Sequence, residues 1–328
     1  MLDSPLGVMP EAADCGSHGE GLLAMETHAM ATTIKVQAHG AASVQAAESA
    51  ISQAFGLCHQ MESACTRFDP SSPLMRANAA GEGWVSVPRL CYDALVDAES
   101  AHRATRGRFD PRVLGDLVGL GYDSSFVDAR KTGVLRARPA FAGPWQPGFR
   151  GWSTQVRIGA HPVDLGGIGK GLAVRWASSI ISKTVGDFLM EAGGDCYCAG
   201  SAPDSGPWMI GVENPFGGAS PVAVLGLRDR AVATSSTRVR RWAAVGGEAH
   251  HLIDPHDGRP GGKGLVSVTV VGRDPARAEV WSKVAFLEGR DGIEHLVNRK
   301  GLAAAWIDAE GRVSISRAMQ RYVAWRPL

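Results

Sequence analysis

The segment from Val163 to Val174 (VDLGGIGKGLAV) carries residue types that suit phosphate binding. Four glycines leave space for a ligand to approach the backbone: Gly166, Gly167, Gly169 and Gly171. Asp164 and Lys170 flank this run with opposite charges. Helical periodicity from Ala173 to Ile181 places the run at a helix N-terminus, where free N–H groups favour anions. The pattern predicts a strand end, a glycine-rich turn and a helix, with phosphate binding as the first hypothesis.

The spacing of this glycine-rich segment differs from two familiar phosphate-binding motifs. A Walker loop has Gly at its first position and Ser or Thr after the Lys, where Asp164 and Gly171 stand here. A dinucleotide fingerprint needs G-x-G-x-x-G, and Leu172 interrupts that pattern after Gly167 and Gly169. On spacing alone, a tight structural turn and a ligand site are equally good interpretations.

The composition is that of an ordinary globular protein. The 328 residues are 45% hydrophobic and 20% charged, and the formal net charge is +1. A charge near zero provides no field that would attract nucleic acid or an anionic membrane, and no apolar run approaches the length of a membrane span. Residues 1–21 contain acidic groups and lack the apolar segment of a secretory signal, so we expect a cytoplasmic protein.

Six cysteines are spread along the chain without a C-x-x-C pair: Cys15, Cys58, Cys65, Cys91, Cys196 and Cys198. Cys196 and Cys198 occupy alternate positions of a predicted strand, which is a poor geometry for a mutual disulfide. We therefore expect all six to be reduced, mostly buried thiols. A zinc site is the less favoured alternative, because no His/Cys cluster has ligand spacing.

The hydrophobic pattern predicts an α+β fold with mostly antiparallel sheets and a few packed helices. Residues 1–24 are predicted to be a flexible N-terminal segment, and residues 25–328 a single domain. Apolar stripes predict helices at residues 43–62, 88–106, 173–181 and 276–287. Alternating or apolar runs predict strands at residues 25–38, 187–191, 208–212, 221–227, 231–235, 240–244, 250–254 and 266–271.

Less regular stretches separate these elements. They are a polar loop with a short turn at residues 66–78, a short apolar segment at 113–122, a loop-rich insertion at 123–155, and closing segments at 293–298, 303–307 and 313–315. Residues 157–158 and 163–164 are predicted to form a hairpin that ends at the glycine-rich segment.

Seven segments occur in a characteristic order along residues 25–290. They are MAT (30–32), TRFDP (66–70) with Asn78, GRFDP (107–111), the run from Asp164 to Gly171, EAGGD (191–195), ATS (233–235), and HHLIDP (250–255) with Gly258 and Pro260. Together they resemble the ApbE-type FAD:protein FMN transferases. Enzymes of this family split FAD, transfer its FMN half to a Thr or Ser hydroxyl of a target protein and release AMP, with a divalent metal, usually magnesium, at the pyrophosphate.

The resemblance implies roles for individual residues of this chain. Eight are implied to contact FAD: Met30, Phe68, Arg108, Phe109, Asp110, Asp164, Lys170 and Ile253. Phe68 would stack on a base, Lys170 would screen phosphate charge, and the Gly167 carbonyl and Glu279 would bind the metal. His251 is the candidate general base or acid, because an unperturbed pKa of about 6.5 suits proton transfer near neutrality.

The sequence departs from the family pattern at three places, one of which is Ser236-Thr237-Arg238, where the family often has a glycine and an aromatic residue. Ala31 replaces a glycine of the first segment. In the family, an Asp and a Thr four residues apart hold the metal, and here Glu279 and Lys283 stand in their positions. A protonated Lys283 has no lone pair for magnesium. Two interpretations stay open: Lys283 takes over part of the metal's charge role, or the site holds flavin without transferring it.

Three functions are therefore to be distinguished: an active FAD:protein FMN transferase, a non-catalytic FAD-binding protein, and an FAD pyrophosphatase with an altered metal site. Each residue also has a structural interpretation when it is taken alone. Phe68 would be a core residue, His251 an ordinary hydrogen-bonded histidine, and Glu279 with Lys283 a helix surface pair. Only the joint order of the segments makes these residues candidates for a site.

Overall fold

The computed structural model describes residues 6–8, 22–122 and 133–327. The helices in this part of the chain are α1 (Val44–Cys65), α2 (Pro73–Ala80), α3 (Arg89–Ala104), α4 (Leu114–Gly119), α5 (Gly169–Ile181), α6 (Pro275–Leu287) and α7 (Gly289–Lys300). The strands are β1 (Leu6–Val8), β2 (Leu23–Ala29), β3 (Thr32–His39), β4 (Val85–Ser86), β5 (Gly148–Arg150), β6 (Gln155–Arg157), β7 (Asp187–Ala192), β8 (Asp195–Ala199), β9 (Trp208–Val212), β10 (Ala223–Leu227), β11 (Arg230–Ser236), β12 (Arg241–Ala244), β13 (Gly247–His250), β14 (Leu265–Gly272), β15 (Ala303–Asp308), β16 (Val313–Ile315) and β17 (Val323–Trp325).

An eight-stranded sheet, in the order β16-β15-β14-β11-β8-β7-β3-β2, forms the centre of the fold. Every neighbouring pair in it is antiparallel. Three smaller sheets accompany it: β1-β9-β10-β17, β4-β6-β5, and the hairpin β12-β13. The predicted α+β class with mostly antiparallel sheets is therefore confirmed.

Alternate residues of the central strand β7 face two separate cores, as the pleat of a strand requires. Phe188 lies in the larger core, which α1, α5 and α6 cover. Leu189 lies in a smaller core with Trp208 and Leu225 of the four-stranded sheet. Burial on both faces explains why β7 reads as a continuous apolar run rather than an alternating one.

The predicted helix at residues 43–62 is confirmed as α1. Ser43 caps it, because its side chain accepts a hydrogen bond from the N–H of Ala46 at 3.2 Å. Its buried stripe includes Ile51, Phe55 and Cys58, which are spaced at helical intervals and face the larger core.

The prediction of irregular structure at residues 66–78 is wrong for its second half, because α2 begins at Pro73. Ser72 caps α2 by accepting a hydrogen bond from the N–H of Met75 at 3.1 Å, and Pro73 occupies the first helical turn. Ser and Pro are also common turn residues, and this double role is why the helix start reads as a loop.

Four other predicted elements differ from the structure. The strand at 25–38 is two strands, β2 and β3, which pair as a hairpin. The hairpin of 157–158 with 163–164 is wrong, because β6 pairs with β4 and β5 instead. The strand at 250–254 is wrong beyond its first residue, since β13 ends at His250. The closing segment at 293–298 lies inside α7.

The N-terminal boundary stays a prediction. Leu6–Val8 forms β1, which pairs with β9, and β2 begins at Leu23. The predicted flexible segment 1–24 otherwise lies almost entirely outside the described residues, as does part of the insertion predicted at 123–155. Within the described part of the chain, none of the helices has the length and apolarity needed to cross a membrane.

The five described cysteines are free thiols, in agreement with the expectation of reduced cysteines: Cys58, Cys65, Cys91, Cys196 and Cys198. Burial raises the pKa of the Cys58 thiol to about 12, so this side chain is an inert core residue. Cys15 lies outside the described residues.

Candidate functional site

The glycine-rich segment leads directly into α5, which begins at Gly169, earlier than the predicted start at Ala173. Lys170 and Gly171 therefore belong to the first helical turn, whose N–H groups have no partner within the helix. The predicted strand end before the segment is wrong. The N–H of Asp164 donates instead to the backbone oxygen of Pro111 at 2.8 Å, outside any sheet.

Gly171 permits close contact between α5 and α6. A Cβ atom at this position would lie 2.6 Å from Cα of Ala276 and 2.7 Å from the backbone oxygen of Pro275, so a larger residue would force the helices apart. The N–H of Gly171 donates to Oε2 of Glu279 at 2.7 Å. Packing thus explains this glycine, and the helix start is tied to a buried carboxylate.

Glu279 and Lys283, one helical turn apart on α6, form an ion pair beside the glycine-rich segment. Nζ of Lys283 lies 3.0 Å from Oε1 of Glu279, whose side chain is 1% exposed. Since Gly171 bonds to Oε2, each carboxylate oxygen already has a donor. A Cβ atom at Gly167 would lie 3.6 Å from Cδ of Lys283 and 2.9 Å from Cε2 of Phe109. The structure therefore brings Gly167, Phe109 and Glu279 to one place.

Lys170 forms a second ion pair at the start of α5. Its Nζ lies 2.7 Å from Oδ2 of Asp195, and Oδ1 of Asp195 accepts a hydrogen bond from the N–H of Thr234 at 3.0 Å. The Asp195 side chain is 4% exposed, whereas that of Lys170 is 20% exposed. The buried carboxylate fixes the ammonium group near the helix N-terminus while leaving part of it accessible.

His251 directly follows β13 and lies among positive charges. Burial lowers its pKa well below the ordinary value, and the charges of Arg240 and Lys283 lower it further, while a hydrogen bond with the Arg240 backbone acts in the opposite direction. The Nδ1 atom is shielded from solvent and has no hydrogen-bond partner among the described residues. The imidazole is therefore neutral near pH 7, which is the form that can act as a general base.

Arg67 connects two further predicted residues, Asp164 and Phe68. Its Nε lies 3.5 Å from Oδ1 of Asp164, and its Nη1 donates to the backbone oxygen of Tyr122 at 2.6 Å. Its guanidinium carbon lies 4.3 Å from the centroid of the Phe68 ring. That ring is 42% exposed and packs edge-on against Tyr122. An exposed ring held in place by a buried cation is a suitable stacking surface.

Met30 lies in the tight turn between β2 and β3. Both residues of the turn are left-handed, with φ of 58° for Met30 and 56° for Ala31, the backbone of a two-residue hairpin. The N–H of Met30 donates to Oε1 of Glu62 at 2.8 Å. A Cβ atom at Gly169 would lie 3.6 Å from Cε of Met30. The turn therefore delivers the Met30 side chain to the N-terminus of α5.

Arg108, an implied FAD-contacting residue, has its guanidinium nitrogens engaged within the protein. It donates to Oδ1 of Asp254 at 2.7 Å, to Oε1 of Glu288 at 2.9 Å and to the backbone oxygen of Leu287 at 2.7 Å. These contacts join the segment after α3 to the end of α6 and to the segment that follows β13. The described contacts give Arg108 an architectural role.

Two more implied FAD-contacting residues, Asp110 and Ile253, are buried and engaged in contacts within the protein. Asp110 forms an ion pair with Arg112 at 2.7 Å and lies 3.6 Å from Nδ1 of His102. Ile253 is 6% exposed and belongs to a small cluster with Leu117 and Leu120. Their described contacts are structural, so their implied roles toward FAD stay predictions.

Three residues at the site have no role in the sequence analysis: Glu62, Arg67 and Asp195. Arg67 and Asp195 stand inside two of the segments that carry the resemblance, so attention to their charges would have found them. Glu62 lies within α1, and its partner Met30 is 32 residues away. Nothing in the local sequence distinguishes Glu62 from a solvated helix residue.

Comparisons with known proteins place this chain among proteins of one family. The model of the ApbE family matches residues 30–306. A Klebsiella pneumoniae protein named FAD:protein FMN transferase is 28% identical over 279 residues, covering 82% of this chain and 85% of that protein. A Treponema pallidum protein of the same name is 27% identical over 312 residues, covering 87% and 84%.

Solved structures show the same fold. The ApbE protein of Thermotoga maritima superposes with a TM-score of 0.80 at 23% identity, covering 92% of this chain and 99% of that one. The flavin transferase ApbE of Vibrio cholerae gives a TM-score of 0.72 at 20% identity, covering 92% and 99%.

Proposed function

The chain belongs to the ApbE family, and from this premise we propose that it is an FAD:protein FMN transferase. It moves the FMN half of FAD onto a Thr or Ser hydroxyl of a target protein and releases AMP. Relatives with this name align over more than four fifths of both chains. The structural observation that carries the proposal is the start of α5, where the glycine-rich segment lies beside the partly exposed Lys170 ammonium, whose positive charge suits a pyrophosphate.

The reaction is a displacement at phosphorus. The acceptor oxygen bonds to the phosphorus of the FMN half, and the bond from that phosphorus to the bridging oxygen breaks. AMP leaves with the bridging oxygen, while the hydroxyl proton passes to a base. We assign the proton to His251, whose imidazole is neutral because burial and the charges of Arg240 and Lys283 lower its pKa.

Other side chains orient the substrate in this proposal. Phe68 offers its exposed ring as a stacking surface for an aromatic ring of FAD. Met30 provides an apolar contact at the start of α5. Lys170 offsets pyrophosphate charge while Asp195 holds its ammonium in place.

Magnesium does not fit the two side chains that stand at the family's metal-binding positions, Glu279 and Lys283. Both oxygens of Glu279 already accept hydrogen bonds, from Gly171 and from Lys283. The Lys283 ammonium stands where the family has a hydroxyl ligand, and it has no lone pair to offer. No step of the proposed reaction is therefore routed through a metal ion at this site.

The target protein and a cytoplasmic location belong to the same proposal, and the relatives' names support the first of them. The proposal is tested by incubating the full chain with FAD and a peptide that carries the family's acceptor Thr, with and without magnesium. We expect the peptide to gain the mass of an FMN group, one AMP to be released per transfer, and His251→Gln to slow transfer at least about 100-fold. The exposed His256 is the control, and His256→Gln should transfer normally.

The other outcomes identify the two alternative functions. Bound FAD that is never cleaved would overturn the proposal in favour of an FAD-binding protein. AMP release at the same rate without peptide, with free FMN as the second product, would overturn it in favour of an FAD pyrophosphatase.

A further inference from the structure

We propose that the Lys283 ammonium replaces the divalent cation in this chain, so that FMN transfer proceeds without a divalent metal. This inference rests on the proposed function and concerns the same site. It follows from the contacts of Glu279, from the position of Lys283 and from the charges around both.

Both oxygens of the Glu279 carboxylate already have a donor, and its negative charge is already paired with Lys283. Gly171 donates to Oε2 at 2.7 Å and Lys283 donates to Oε1 at 3.0 Å. The side chain is 1% exposed, so water does not compete for either oxygen. A metal ion here would compete for this carboxylate with a backbone N–H of the first turn of α5 and with the Lys283 ammonium.

Lys283 places its positive charge beside the segment that is proposed to hold the pyrophosphate. Its Cδ would lie 3.6 Å from a Cβ atom at Gly167, inside the glycine-rich segment. Its charge also lowers the pKa of His251, which shows that the ammonium acts on the proposed base. Lys283 is therefore within electrostatic reach of the proposed base, and it lies beside the segment proposed to hold the pyrophosphate.

The Lys283 ammonium has N–H donors that Glu279 does not use. It carries three N–H bonds, and Glu279 is the one hydrogen-bond partner of its Nζ among the described residues. The side chain is 17% exposed, so two N–H bonds remain for phosphate oxygens. A divalent cation that approached this point would meet the repulsion of a fixed positive charge. Lys283 thus supplies charge and hydrogen bonds to the pyrophosphate and disfavours a metal ion there.

Removing Lys283 and restoring the family residues gives a direct test. We expect the wild-type chain to transfer FMN to the acceptor peptide at the same rate, within about two-fold, in EDTA and in magnesium. In EDTA, Lys283→Thr should transfer FMN at least about 100-fold more slowly than the wild type, because the donor that stabilises the developing charge is gone. The double variant Glu279→Asp with Lys283→Thr should transfer FMN at least about ten-fold faster when magnesium is added, because the metal ion then supplies the positive charge that Lys283 supplied.

A matched substitution elsewhere controls for the loss of a lysine. Lys183 is exposed two residues beyond the end of α5, and Lys183→Thr should transfer FMN as the wild type does, in EDTA and in magnesium alike. Wild-type transfer that EDTA abolishes and magnesium restores would overturn the inference while leaving the transferase function intact.

Metal binding provides a second measurement that is independent of turnover. Titration of the FAD-bound protein with Mn²⁺, followed by electron paramagnetic resonance, should show no stoichiometric site in the wild type and one site in the double variant. A wild-type Mn²⁺ site that Glu279→Gln removes would overturn the inference. Absence of transfer under every condition would overturn the proposed function and the catalytic part of this inference, while the Mn²⁺ titration would still decide whether Lys283 has displaced the metal.

Discussion

The side-chain amide of Asn78 forms two hydrogen bonds with the backbone of Val163. Nδ2 donates to the Val163 oxygen at 2.9 Å, and the Val163 N–H donates to Oδ1 at 2.9 Å. Asn78 lies on α2, and Val163 is fully buried immediately before Asp164. The amide pairs with Val163 as a neighbouring strand would, and it fixes the start of the glycine-rich segment in the absence of a strand.

Asn78→Ala should therefore lower the free energy of unfolding by about 2–3 kcal/mol, because a buried N–H and a buried carbonyl both lose their partner. Asn78→Asp should cost more, since a carboxylate would face the Val163 carbonyl without a donor. Urea denaturation measures both. The exposed Asn298 on α7 is the control, and Asn298→Ala should change stability by less than about 0.5 kcal/mol. Equal stabilities for Asn78→Ala and the control would contradict the structural role.

The elements that could be predicted from the sequence are those whose burial requires a recognisable pattern of apolar residues. The stripe through Ile51, Phe55 and Cys58 marks α1, and the apolar run around Phe188 marks β7, because each faces a core. The start of α2 was missed, because Ser72 and Pro73 favour turns and helix starts equally.

The candidate site was predictable as a set of segments and not as a set of contacts. The order of the segments named Lys170, His251 and Glu279 as candidates. Pairs such as Gly171 with Glu279, 108 residues apart, depend on how α5 meets α6, which no local spacing encodes. The same limit applies to Arg108. Its charge suggested a phosphate contact, but its partners in the structure are two carboxylates and a backbone carbonyl.

Ala31→Gly should stabilise the protein. Ala31 has a φ of 56°, a conformation that costs an L-residue about 1–2 kcal/mol and glycine almost nothing. After the greater chain entropy of glycine is subtracted, we expect a gain of about 0.5–1 kcal/mol in urea denaturation. Ala24 in β2 is exposed and has an ordinary strand backbone, so Ala24→Gly should lose about 0.5–1 kcal/mol. If Ala31→Gly also lowered the free energy of unfolding, the argument from backbone strain would be refuted.

Phe68→Ala should weaken FAD binding at least about ten-fold, because stacking of an aromatic ring on a base contributes about 1–3 kcal/mol. Stability should fall by less than about 1 kcal/mol, since the ring is 42% exposed and loses mainly its contacts with Arg67 and Tyr122. Fluorescence quenching of FAD measures the affinity. Trp152 is 89% exposed, and Trp152→Ala should bind FAD as the wild type does. Unchanged affinity in Phe68→Ala would remove this residue from the flavin site.

His250 should make stability depend on pH below neutrality. Burial lowers the pKa of its imidazole to about 4, and its Nδ1 accepts a hydrogen bond from the N–H of Leu252 at 3.2 Å. Between pH 6.5 and 4 the unfolded chain binds a proton at this residue that the folded chain does not. The contribution is therefore present above the unfolded pKa, near 6.5, and is lost as pH falls toward 4, by about 3 kcal/mol in total.

The test compares two variants by urea denaturation at a series of pH values. In His250→Asn the amide oxygen can accept the Leu252 N–H without titrating, so its stability should fall less steeply than that of the wild type between pH 6.5 and 4. His256 is exposed, and His256→Asn should keep the wild-type slope. The same slope in all three proteins would show that His250 is not the group responsible.

The ion pair of Lys170 and Asp195 should show strong coupling in a double-mutant cycle. Lys170→Met leaves the Asp195 carboxylate, 4% exposed, with the Thr234 N–H as its remaining described donor, and should cost about 3 kcal/mol. Adding Asp195→Asn removes the unpaired charge, so the double variant should be more stable than Lys170→Met alone. Both variants should bind FAD more weakly, because each lacks the cation at the start of α5. Additive losses in urea denaturation would mean that the two side chains are not coupled, and unchanged FAD affinity would place the pyrophosphate away from Lys170.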